Sequence, residues 1–174
     1  MSVVDSGHVS SGLGLSVMST AEKMRREPFI KTEDIIMNIE EERTKIRTSF
    51  ILRDTDYLYR SGRLSERMNK LCTAFMIHPV IIMKNSAMTV GPIFLGSLKR
   101  ARRAYIKRML RHSGSIKTDV LFITYAGMRI EEIEEIRDIV SEYVKFDKVY
   151  LQKASPAVCA NCGAGTFGLL FERK

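Results

Sequence analysis

The chain has 174 residues, 45% of them hydrophobic and 28% charged, a globular composition with room for one domain or a little more around a buried core. No apolar run approaches the ~20 residues that cross a bilayer, and no basic stretch followed by an apolar one opens the chain, so a soluble, cytoplasmic protein is expected. The formal charge of +8 is uneven: Lys99, Arg100, Arg102, Arg103, Lys107, Arg108, Arg111 and Lys117 form a run of eight cations with no acid among them and equal the whole excess.

In chain order, Ser2 to Asp5 reads as the end of a strand, followed by a Ser/Gly loop in which Asp5 and Ser6 suit an Asx-type turn and Ser10 and Ser11 a helix N-cap. A helix is expected from about Gly12 to Arg26, with Leu13, Val17, Ala21 and Met24 on one face, and Pro28 ends it. Thr32, with Glu33 and Asp34 behind it, predicts the N-cap of a helix running to about Thr48, with Ile35, Ile36, Ile39, Arg43 and Ile46 inward. Phe50 to Leu52 reads as a short strand, Asp54 as the cap of a helix through Tyr59, and Ser61-Gly62 as the break before a helix from Ser65 to about Ala74. His78 to Met83 reads as a buried strand that turns at Lys84 to Ala87 and returns antiparallel from Met88 to Leu95.

The basic helix is expected from about Ser97 to His112, with Arg100, Arg103, Lys107 and Arg111 along one side and Leu98, Ala101, Tyr105 and Met109 along the other. Asp119 to Tyr125 follows as a strand and Met128 to Val144 as an amphipathic helix with Ile130, Ile133, Ile136, Val140 and Val144 inward. Lys148 to Leu151 and two strands around a glycine turn complete a mixed sheet with helices packed against it, an α/β class. The ten methionines and absent tryptophan fit an adaptable aliphatic core.

Chemistry concentrates in the tail, Ser155-Pro-Ala-Val-Cys-Ala-Asn-Cys-Gly-Ala-Gly-Thr-Phe-Gly168. Gly163, Gly165 and Gly168 suit positive φ or close approach of another backbone or a ligand, and a tight hairpin between two core strands explains them equally well. Cys159 and Cys162 spell C-x-x-C, but a thiol activated as in thioredoxin needs a helix N-terminus, and Pro156-Ala-Val reads as strand. Zinc needs two more ligands, and His8, His78 and His112 have no matching spacing. No Ser triad, Gly-x-Ser-x-Gly, P-loop or dinucleotide fingerprint is present. Glu40 to Glu42 and Glu131-Glu132 read as exposed surface charge. Neither a catalytic residue nor a metal ligand is expected.

Three segments together carry a family resemblance. Val4-Asp-Ser-Gly-His-Val-Ser-Ser-Gly-Leu-Gly14 resembles the Asp-Ser…Ser-x-Gly-x-Gly segment of the DegV proteins. Asp56-Tyr-Leu-Tyr-Arg-Ser-Gly-Arg-Leu-Ser65 resembles their Tyr-Leu…Gly-Gly-Arg-Ile-Ser segment, and the tail resembles their Gly-Pro-Val…His-x-Gly-Pro-Gly…Gly run. The order is the family's, and the resemblance covers nearly the whole chain.

The resemblance implies a carrier, not a catalyst, that binds a long-chain fatty acid between two α/β domains and presents its carboxyl group to a fatty acid kinase of the dihydroxyacetone-kinase-like type. Residues 1–48 would then be a strand-helix-helix remnant of the N-terminal domain, with uncovered apolar surface, and residues 49–174 the C-terminal domain. The family's Thr-Ser and Ser-Gly-Thr loops, which hold the carboxylate, precede the matching part. Either the chain is a piece of a longer protein or a naturally shortened relative.

Carried over residue by residue, the resemblance places the fatty-acid head near Asn161, Gly163, Arg63 and Ser10. Arg63 follows Gly62 at a helix break, where a guanidinium can bind a carboxylate, or else tie the loop to Asp54 or Asp56. Asn161 stands where the family commonly has His, so it can donate a hydrogen bond but adds no charge. Ser61 and Ala164 replace a frequent Gly and Pro. No cofactor is expected.

Two alternatives remain open. One is an interaction module that has lost lipid binding. The other is a binder of anionic surfaces through Arg100, Arg103, Lys107 and Arg111, either peripheral membrane or nucleic acid. Nucleic acid is the weaker, because Tyr105 is the basic helix's only aromatic and no recognised nucleic-acid motif accompanies it.

Overall fold

The computed structural model describes residues 2–174. Its framework is one six-stranded mixed sheet in the order β3-β2-β1-β6-β4-β5, with β1 Ile46–Ile51, β2 Ile77–Lys84, β3 Ala87–Leu95, β4 Ile116–Ala126, β5 Lys148–Lys153 and β6 Thr166–Arg173. All neighbours are antiparallel except β4 and β5, which the crossover helix α6, Ile130–Tyr143, joins as a βαβ unit. The remaining helices are α1 Ser11–Arg26, α2 Thr32–Glu42, α3 Asp56–Arg60, α4 Glu66–Ala74, α5 Leu98–Met109 and α7 Pro156–Cys162.

The central strand β6 is Thr-Phe-Gly-Leu-Leu-Phe-Glu-Arg and is buried from Thr166 to Glu172. An unbroken apolar run of this kind needs cover on both faces. On one face α5 and α6 pack Tyr105, Ile106, Ile136 and Val140 against Ile51, Ile123, Phe167, Leu169 and Phe171. Truncating a fully buried Phe here costs about 3–5 kcal/mol. On the other face Leu15 of α1 meets Ile46, Phe50 and Leu170.

Tyr105 carries its hydroxyl into the sheet, where it donates to the Ser49 carbonyl at 3.0 Å and accepts from the Leu169 N–H at 3.0 Å. Burial drives its pKa far upward, so this hydroxyl stays protonated as a structural bridge.

The cover on the α1 face is incomplete. α1 packs on β1 and β6. Farther out, the cross-strand pairs Pro79 with Ile93, Ile81 with Val90 and Met83 with Met88 share the face of Phe50. Met88, Val90 and Ile93 are each more than half exposed. The outer edge of this sheet face is therefore apolar and exposed on β3, while on β2 Pro79 is buried and Ile81 and Met83 are half-buried. Leu13, Val17 and Met24 of α1, expected on one face, are likewise exposed, and Leu15 is the apolar α1 residue that is buried.

Several local expectations give way. Ser2 to Asp5 forms no strand; no neighbouring strand of the sheet pairs with it, and an unpaired extended segment has no ladder to join. Lys31, not Thr32, occupies the N-cap of α2, without a side-chain cap bond, and the helix ends at Glu42 instead of Thr48. Ile46 and Thr48 are β-branched, and pairing with Glu172 and Leu170 places them in β1. Thr55 takes the cap position of α3, and Asp54 instead accepts the Asp56 N–H at 3.2 Å. Ile130 is exposed at the first position of α6.

The largest difference is in the tail, where Pro156-Ala-Val begins a helix rather than a strand. Ser155 caps it by accepting the Val158 N–H, and Pro156 fills the first helical position, where a missing N–H costs nothing. The expected glycine hairpin is thus a helix-to-strand turn.

Candidate functional site

Two ends of the sheet are chemically distinct. At the end where β1 finishes and β6 begins, the α7 turn meets α3. Gly163 caps α7 with φ +76°, and a Cβ there would run into the Tyr57 ring. The turn therefore requires glycine for conformation and for space. Asn161, exposed on α7, accepts from Arg63 Nη1 at 2.5 Å and donates Nδ2 to the Ala157 carbonyl at 2.7 Å. Arg63's partner is thus Asn161, not Asp54 or Asp56.

Three of the four expected head-group residues therefore converge through α3 and α7. Asn161 retains a second amide hydrogen and Arg63 its other guanidinium hydrogens, an array suited to a carboxylate. Ser10 stands apart from this hydrogen-bonded group. It sits at the N-cap position of α1 with φ +56° and makes no side-chain cap bond. Its neighbour Ser11 is the one that engages the sheet, through Thr124 Oγ1 at 2.8 Å. Asp5 closes its turn by accepting the Gly7 N–H at 2.9 Å.

Arg102 is the supporting residue that sequence reasoning missed. Its side chain is largely buried, and its guanidinium bonds Glu132 of α6 at 2.9 Å and the Gly165 carbonyl at 3.0 Å. It therefore ties α5 and α6 to the glycine turn. That bond, first among the causes, holds the Glu132 carboxyl below its ordinary pKa. Glu132 is not simple surface charge. In the sequence, Arg102 was hidden within a run of similar cations.

The basic helix is also less free than its composition implies. Lys99 pairs with Glu135 at 2.8 Å and Arg103 pairs with Glu142, because α6 places its acids alongside α5. Among the described residues, Arg100, Lys107, Arg108 and Arg111 make no ion pair, and Arg111 lies beyond the helix end at Met109.

Cys159 lies inside α7, not at its first turn, and Cys162 is its last residue. Burial pushes the Cys162 thiol up to about 11, the opposite of an activated thiolate. Both cysteines are free. Among the described residues no group of three or more His, Cys, Asp or Glu could hold a metal ion, and no helix is long and apolar enough to cross a membrane.

At the opposite end, the start of β1, the β2–β3 turn, the end of α5 and the end of β6 enclose a cleft of about 840 Å³. It contains Arg111, and none of the other expected site residues.

Comparison with known proteins supplies the family. A DegV domain-containing protein of Caldanaerobacter subterraneus is 26% identical, matching 99% of this chain and 60% of its own length. Among solved structures, a fatty-acid-binding DegV family protein of Streptococcus agalactiae superposes with TM-score 0.80 at 16% identity, covering 99% of this chain and 60% of that one. The Streptococcus pneumoniae Fatty Acid Kinase B3 protein loaded with linoleic acid superposes with TM-score 0.78 at 15% identity, with the same coverage. This chain thus spans about three fifths of the length of these relatives. The model of the DegV family matches residues 1–174, and the chain belongs to that family.

Proposed function

We propose that this chain binds a long-chain fatty acid, with the carboxylate at Arg63, Asn161 and Gly163 and the acyl chain along the apolar face of β2 and β3. The observation that carries this reading is that the polar donor corner lies at the end of the sheet where the apolar β2–β3 face, exposed at Leu95, Ile93, Val90 and Met88, begins. The face begins at the Ile77–Leu95 pair, on the side of the sheet where β1 ends, and extends to Met83–Met88. At ~3.3 Å per residue, Ile77 to Met83 spans about 20 Å, and burying apolar area on that scale is what drives acyl binding. Several structural neighbours are fatty-acid-binding proteins. The role is one of carriage without catalysis, with presentation of the carboxyl group to a fatty acid kinase; the likeness to a kinase B3 protein supports that partner. On the same reading, residues 1–48 belong to the first of two domains and residues 49–174 to the second, with β1, Ile46–Ile51, crossing that boundary and α1 packing its Leu15 side on the sheet.

Mass spectrometry of an organic extract of the purified protein tests the proposal. A stoichiometric long-chain acid is the expected result, accompanied by loss of the acid when Arg63→Ala and Asn161→Ala are combined. An empty extract, together with no uptake of added palmitate, would leave the chain an interaction module.

A further inference from the structure

The cleft at the other end of the sheet has a composition that the fatty-acid reading does not use. Its walls carry Arg43, Arg47, Lys84, Arg108, Arg111 and Arg173, and no Asp or Glu lines it. Among the described residues, none of these six cations makes an ion pair. Arg43 and Arg47 bond only to backbone carbonyls. Arg173 Nε is buried without any hydrogen-bond partner, and the Arg47 guanidinium is weakened as a base first by burial and then by the charge of Arg173. The six come from the loop before β1, β1, β2, α5 with the segment just after it, and β6.

Folding alone does not explain the grouping. A cation near a helix C-terminus is favourable, which accounts for Arg108 in the last turn of α5 and Arg43 at the C-cap of α2, but not for Arg47, Lys84 or Arg173. Like charges gathered in a concavity repel one another and cost stability until a counter-charge arrives. A fatty-acid carboxylate brings a single charge, too little for six. The volume is that of a small-molecule site.

We infer that this cleft binds a small soluble anion bearing several phosphates, gripped by Arg47, Arg111 and Arg173. The inference concerns the opposite end of the sheet and a different ligand from the fatty-acid proposal; the two meet at Met83, where the apolar face of β2 and β3 reaches the cleft.

Isothermal titration calorimetry of the full chain with tripolyphosphate, against orthophosphate as reference, tests it. The expected result is one saturable site, much tighter for tripolyphosphate and weakening steeply as salt rises. Arg111→Gln, at an exposed position, should weaken binding about tenfold, and Arg47→Gln with Arg111→Gln about a hundredfold, with melting temperatures reported for each. Lys99→Gln, which removes an equal charge outside the cleft, should leave affinity within about twofold. Failure to bind tripolyphosphate, or an equal loss in Lys99→Gln, would overturn the inference. So would binding to phosphatidylglycerol vesicles that tripolyphosphate does not compete away, which would assign the cations to a membrane.

Discussion

The two ends of the sheet solve opposite electrostatic problems. Where β6 begins, the charged groups beside the glycine turn are answered largely from within: Arg63 by Asn161, and the terminal nitrogens of Arg102 by Glu132 and the Gly165 carbonyl, although Arg102 Nε, like Arg173 Nε, is buried without a partner. Where β6 ends, Arg173 faces Arg47 and other cations with no acid lining the space. The first arrangement fixes a geometry that a ligand completes with one or two hydrogen bonds. The second leaves a repulsion that only an external anion relieves. Self-satisfied polar groups position, and unsatisfied ones of like sign await a partner.

The largest effect should come from the strand that connects the two ends. Gly168 lies in mid-β6, where an added Cβ would sit 2.5 Å from the Ser49 carbonyl oxygen and against the Phe50 ring. Backbone on a paired strand cannot yield, so Gly168→Ala should cost at least about 3 kcal/mol, read as a lowered urea midpoint. Both ends should fail together. If one ligand still bound normally to Gly168→Ala, the ends would not share the rigid strand that the comparison assumes.

Arg102→Ala should separate them. Removing it leaves the Gly165 carbonyl without its side-chain partner and the Glu132 carboxylate with Arg129 alone, at a cost of about 1–3 kcal/mol. The damage should stay at the glycine turn. Amide hydrogen exchange should rise around residues 163–166 and remain unchanged in the β2–β3 turn; equal increases at both would contradict independent ends.

Asn161→Ala is milder for the fold. Asn161 is exposed, and its contacts are local to α7 and Arg63, so stability should fall by less than about 1 kcal/mol. Palmitate affinity should drop by about 10- to 100-fold, the range for a hydrogen bond to a charged group. A loss of stability as large as the loss of affinity would make Asn161 a structural residue.

Much of this was legible in the sequence where the signal is local. The hairpin of β2 and β3, the amphipathic α6 and the start of α4 just after Ser65 follow from periodicity, a Lys-Asn-Ser turn and the Ser61-Gly62 break. The Arg63–Asn161 pairing was approached through motifs 98 positions apart that only a family resemblance could join. Three kinds of information were not local. Ser155-Pro156 is a sound helix start, but the glycines behind it suggested a hairpin, and packing against α3 decided the matter. Ile46 and Thr48 extend an apolar pattern that fits helix as well as strand until β6 supplies a partner. The cleft is the extreme case, because its cations are scattered from Arg43 to Arg173, and only topology brings them together, while α6 pairs with Lys99, Arg102 and Arg103 and leaves Arg108 and Arg111 of the same run to the cleft.

The smallest expected effect concerns pH at the rim of the cleft. His8 joins the first loop to β1, through Thr48 Oγ1 at 3.0 Å and the Arg43 carbonyl at 2.9 Å. Burial, more than any other influence, lowers its pKa below the ordinary 6.5; Arg47 and Arg43 act in the same direction, and the Arg43 carbonyl and Asp5 oppose them. The unfolded chain therefore takes up this proton first as pH falls through 6.5. Stability contributed by neutral His8 is complete above that value and declines below it until the folded imidazole is also protonated. Carboxylates such as Glu132, whose pKa is held below 4.5, act at lower pH and do not mask the window. His8→Gln should flatten the fall in melting temperature between about pH 7 and pH 5. An unchanged slope would mean that the loop opens on protonation at no cost, and that the rim on this side of the cleft is not held by His8.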